Sequence, residues 1–84
     1  MILSVGSLVG TGVLESIDLI GRDRFEIIGL NSDPSAVNNF RCDVCYVSSP
    51  TAERAALIAQ LDALAAQHPP DLVIPGRDDD VVVL

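Results

Sequence analysis

The chain has 84 residues, of which 49% are hydrophobic, and twelve acidic side chains against five arginines give a net charge of −7. This length supports one small domain, which buries only about 60% of the surface its unfolded form exposes. The acidic balance and the absence of lysine exclude nucleic acid and anionic membrane as partners, because both select a basic surface. The N-terminus lacks the basic region of a signal peptide, and no stretch reaches the roughly 18 apolar residues of a membrane span. The two cysteines are too few for a disulfide framework, so a cytoplasmic location is expected.

Ile2 to Val5 reads as a first strand, closed by Gly6, Gly10 and Gly12. A helix should follow from about Val9 to Ile20, with Val13, Leu14, Ile17 and Ile20 at helical spacing and Gly21 as its stop. Phe25 to Leu30 reads as a second strand, ended by the turn Asn31-Ser32-Asp33-Pro34. Ser35 to Phe40 is a short helix or an irregular segment, and Val44 to Val47 is a short third strand. Ser49 is placed to cap a helix with Pro50 at its first position, where a missing N–H costs nothing. Ala55, Leu57, Ile58, Leu61, Leu64 and Ala65 then form an apolar face, and Pro69-Pro70 ends it. Leu72 to Ile74 reads as a fourth strand before the turn Pro75-Gly76, and Asp78-Asp79-Asp80 opens a last helix. The order implies an α/β fold: a small Rossmann-like open parallel sheet of about four strands, order 3-2-1-4, with helices on both faces. The wholly apolar ending Val81–Leu84, directly after a helix opening, reads as a cut inside a longer chain. Residues 1–84 are therefore expected to be a single domain from the N-terminal part of a larger enzyme. The alternative is a complete small protein whose tail docks as an edge strand.

Gly6-Ser7-Leu8-Val9-Gly10-Thr11-Gly12 lies between a strand and a helix, where backbone N–H groups can approach an anion. Its G-x-x-x-G-x-G spacing differs from the G-x-G-x-x-G dinucleotide fingerprint, and a tight turn with close helix–sheet packing accounts for the glycines equally well. Asp33 stands near the place where such a domain holds ribose hydroxyls, and also where an Asx turn would cap the next segment. The loop Pro75 to Asp80 is expected at the same end of the sheet, so both loops would line one crevice. The triple Asp reads as helix capping and not as a magnesium site, since consecutive helical residues point apart. The anion-binding candidates are thus Gly6, Ser7, Gly10, Thr11, Gly12, Asp33, Pro75 and Asp78, with no catalytic and no metal-binding residue. Cys42-Asp43-Val44-Cys45 has C-x-x-C spacing but leads into a strand, which fits buried thiols better than redox or zinc chemistry. His68 has no identifiable triad partner.

Together these segments resemble the pre-ATP-grasp domain of ATP-grasp carboxylate–amine ligases, of the carbamoyl-phosphate-synthase large-subunit type. Ile2-Leu3-Ser4-Val5-Gly6 through Gly12 looks like that family's first strand and glycine loop. Gly29 to Pro34, followed by Cys42-Asp43-Val44-Cys45-Tyr46-Val47 and Pro50, looks like its G-x-D-x-D-P … A-D-x-x-Y-x-V-P pattern. Asp71 to Asp79 looks like its D-x-V-I-P-T-x-D-E segment, although Asn31, Gly76 and Asp79 replace an acidic residue, a Thr and a Glu. The resemblance implies a domain that helps hold a small carboxylate substrate and packs on the ATP-grasp domain of the same parent chain. ATP and magnesium would be bound by that following domain and not by this segment, so the segment alone would be inactive.

Two other classes stay open. The glycine spacing is similar to that of NAD(P)-dependent short-chain dehydrogenases and epimerases, but the Tyr-x-x-x-Lys pair of those enzymes is absent from a chain without lysine. A stand-alone interaction domain is the other, and homodimerisation through exposed apolar edges is compatible with each reading.

Overall fold

The computed structural model describes residues 1–84, and its architecture is set by parallel segments that end at one side of the molecule. Ile28–Asn31 forms β1 and Val44–Val47 forms β2, paired in parallel from Ile28 opposite Val44 to Asn31 opposite Val47. All four residues of β1 are buried. Ile2 makes single parallel bridges to Gly29 on one side and to Ile74 on the other. The Ile2 amide donates to the Ile28 carbonyl at 2.8 Å, and the Leu3 amide to the Ile74 carbonyl at 2.9 Å.

The expectation of a four-stranded Rossmann-like sheet is thereby corrected: the sheet has two strands, the first segment touches it through one bridge at Gly29, and the fourth touches only the first, through one bridge at Ile2. Two local causes account for this. Ser4 has a φ of 48°, a left-handed conformation that breaks extended geometry directly after Leu3. Leu72–Ile74 lies between Pro70 and Pro75, which have no N–H for a ladder. The second strand also starts later than Phe25, because residues 22–24 form a 3-10 turn and Arg22 donates to the Phe25 carbonyl at 3.0 Å.

The first helix, α1, spans Leu8–Ile20. Ser7 caps it by accepting the Gly10 amide on Oγ at 3.0 Å, and Gly21, with φ at 136°, closes it by donating to Ile17. A 3-10 turn over Val37–Arg41 fills the segment between the strands. The second helix, α2, spans Arg54–Gln67 and begins later than a Ser49 cap would place it. Ser49 instead donates its backbone N–H to Gln60 Oε1 at 2.7 Å, and Pro50 to Glu53 forms a turn. Of the expected apolar face of α2, Leu57 and Leu64 are buried, while Ile58 is 38% exposed. The last helix, α3, spans Asp78–Val83.

One apolar cluster joins Ile2, Val5, Leu14 and Ile27, with Val13, Ile17, Cys42 and Cys45 packed against it. Beyond β2, the Gln60 side chain lies along the free edge, with Nε2 donating to the Val47 carbonyl at 3.4 Å. No helix is long and apolar enough to cross a membrane.

Candidate functional site

Because the bridged segments run in parallel, the chain leaves each of them at the same end. Leu3 to Ser7, Asn31 to Asp33, Ser48 to Thr51 and the Arg77–Asp80 turn there enclose a cavity of about 330 Å³. This is where an open α/β arrangement places its ligands. Leu3, Leu30 and Leu57, each almost fully buried, contribute its apolar lining.

Of the residues expected from sequence to bind an anion, Gly6, Ser7 and Asp33 line this crevice. Gly6 allows close approach, since a Cβ there would stand 2.5 Å from Asn31 Nδ2. Ser7 Oγ, besides capping α1, donates to the Gly76 carbonyl at 2.8 Å and so ties the first loop to the last. Asp33 is exposed, and Oδ1 accepts both the amide and the hydroxyl of Ser35, at 2.9 and 2.7 Å. Those bonds hold its carboxyl below the usual carboxylate range.

The structure places the other five elsewhere. Gly10 packs on backbone, with a built Cβ only 2.3 Å from the Val5 carbonyl oxygen. Thr11 is occupied locally, its Oγ1 donating to the Ser7 carbonyl and accepting from Asn38 Nδ2 at 2.8 Å. Gly12 borders a different groove, Pro75 ends the fourth segment, and Asp78 is an exposed first residue of α3.

Three residues that the sequence reading did not select complete the crevice. Asp80 is 1% exposed and accepts from three donors: the Gly76 amide at 3.3 Å, the Arg77 amide at 3.1 Å and Thr51 Oγ1 at 2.9 Å. Its place three residues after the helix-capping position was the available signal, hidden by two neighbouring aspartates that point elsewhere. Asn31 is 9% exposed at the end of β1. Arg77 lines the crevice without a carboxylate partner, whereas Arg22 and Arg41 are paired with Asp43 at 3.0 Å and Asp18 at 2.8 Å. The result is a small polar cavity on an apolar base, with one uncommitted guanidinium that suits a carboxylate or phosphate.

Cys42 and Cys45 are free thiols that pack over Gly29, where a Cβ would meet Cys42 Sγ at 2.6 Å. Partial burial pushes Cys42 up to about 11 and raises Cys45 as well, so both are protonated, half-buried thiols packed against the core. His68 Nε2 lies 2.8 Å from the Tyr46 hydroxyl, an interaction that ties the end of α2 to β2. A second, larger groove of about 1160 Å³ runs between α1 and residues 67–74 and is lined mainly by apolar side chains, among them Val13, Ile17, Ile20, Phe25 and Leu72. No protein-family model, curated protein or solved structure matches the chain.

Proposed function

We propose that this chain is the substrate-side domain of an ATP-dependent carboxylate–amine ligase of the ATP-grasp type, holding a small carboxylate in the crevice and performing no chemistry alone. The observation that carries the reading is convergence. The three sequence segments that resemble the pre-ATP-grasp pattern are far apart in the chain, yet Gly6, Asp33 and Arg77 from them line one cavity. Arg77 supplies the charge that a carboxylate needs.

ATP and magnesium belong, in this reading, to the following domain. A nucleoside triphosphate is too bulky and too highly charged for a crevice of about 330 Å³ with one guanidinium. The apolar groove beside α1 supports a domain that packs against another body, and it is equally the feature that favours a plain interaction domain.

Titrating the isotope-labelled chain with pentanoate tests the carboxylate site. The amide resonances of Gly6, Ser7, Asn31, Asp33 and Arg77 should shift together, and Arg77→Gln should abolish the response. Shifts scattered outside these loops, or none, would leave only the interaction-domain reading.

A further inference from the structure

We propose that the ligand of this crevice is an amino carboxylate, its ammonium group held by Asn31 and Asp33 and its carboxylate by Arg77. The inference rests on the carboxylate reading given above and adds the second charge. Asn31 Nδ2 donates to the Asp33 carbonyl at 3.3 Å and to Asn39 Oδ1 at 3.1 Å. A carbonyl can only accept, so the amide orientation is fixed. Asn39 is oriented in the same way, its own Nδ2 donating to the Asp33 carbonyl at 2.8 Å.

Asn31 Oδ1 is then left without a donor from the protein, on a residue only 9% exposed that lines the cavity. No fully enclosed side-chain polar atom in the molecule lacks a partner, so this oxygen is not sealed off, and it belongs to a residue of the crevice wall. Beside it stands Asp33, whose Oδ1 is engaged by Ser35 while Oδ2 is uncommitted. The Ser35 bonds keep that carboxylate charged in mildly acidic solution. This wall therefore presents acceptors and a negative charge, and it asks for a cationic donor.

Arg77 brings the opposite character. It follows the Ile74 segment, which is separated from β1 by the Ile2 segment. Two strand spacings put the backbones of the two walls about 10 Å apart, and the long arginine side chain shortens the gap. A plain carboxylate satisfies Arg77 and leaves Asn31 Oδ1 unpaired. A dicarboxylate sets a like charge against Asp33. An ammonium at one end and a carboxylate at the other satisfy both walls, with methylene groups over Leu3, Leu30 and Leu57.

Three ligands with one five-carbon skeleton decide the matter on the unaltered chain: pentanoate, 2-aminopentanoate and 5-aminopentanoate, each titrated by amide shift mapping. At least one amino form should bind about tenfold more tightly than pentanoate, the size of one charge-assisted contact. The better of the two reports the spacing of the poles. Asp33→Asn should shrink that ratio toward one. Equal binding of all three would overturn the ammonium subsite while the carboxylate site stands. No response to any of them would remove both. A ratio unchanged in Asp33→Asn would also overturn the assignment, with retained spectral dispersion reporting that the variant is folded.

Discussion

A Cβ at position 10 would lie 2.3 Å from the Val5 carbonyl oxygen, whereas one at position 12 would meet nothing within 4 Å. Both glycines sit in α1 and look alike in the sequence. Gly10→Ala forces backbone apart and should cost about 1–3 kcal/mol, as overpacked sites do. Gly12→Ala should stabilise by about 0.5–1 kcal/mol, through the unfolded chain and helix propensity. Urea unfolding followed by circular dichroism checks both, and the opposite signs are the expected result. The same contrast explains what could be read at the site. Gly6, Ser7 and Asp33 were legible because each lies next to the end of an extended segment, a position defined by local pattern. Asn31, Arg77 and Asp80 were not, since what matters at them is which neighbours are or are not paired. Sequence shows residue types but not unpaired atoms.

At the scale of elements, α3 is held less by its own six residues than by the Asp80 carboxylate, which binds the Gly76–Arg77 turn and Thr51 at once. Asp80→Ala leaves buried donors unpaired and should cost about 2–4 kcal/mol. Hydrogen exchange should then show α3 and the Ser48–Thr51 loop losing protection together. If α3 alone loosens, Thr51 is not coupled as the geometry indicates. Elements with local signals were read well: β2 lies at Val44–Val47 as expected, and α1 starts one residue before Val9 and stops before Gly21. Ser49-Pro50 misled because the chain makes a separate Pro50–Glu53 turn before α2 begins at Arg54, leaving Ser49 too far upstream to cap it. The four-stranded sheet failed for a different reason. Hydrophobic runs show which segments are extended and buried, but ladder length depends on backbone details such as Ser4 and the flanking prolines.

For the whole molecule, acidity bounds stability on both sides. Burial lifts Cys42 to about 11 from 9.0, so the unfolded chain ionises first as pH rises. Its contribution is complete below pH 9 and is lost as the pH climbs toward 11; a Cys42→Ser variant should show a flatter alkaline decline in urea midpoint. Asp33 and Asp43 have lowered values, Asp43 chiefly through the Ile27 amide. Their contributions are present above 3.8 and fade as pH falls below it. The apolar groove beside α1 gives the molecule a face that favours association, but its sheet offers little to it. On the β2 side, the Gln60 amide occupies the last hydrogen-bonding positions that an added strand would need, accepting from Ser49 and donating to Val47. At the other margin, the Leu72–Ile74 segment lies between prolines and leaves room for hardly one residue of pairing. Growth by strand addition is therefore stoppered at both ends, so crowding this chain should yield small, soluble, face-to-face assemblies rather than fibrils.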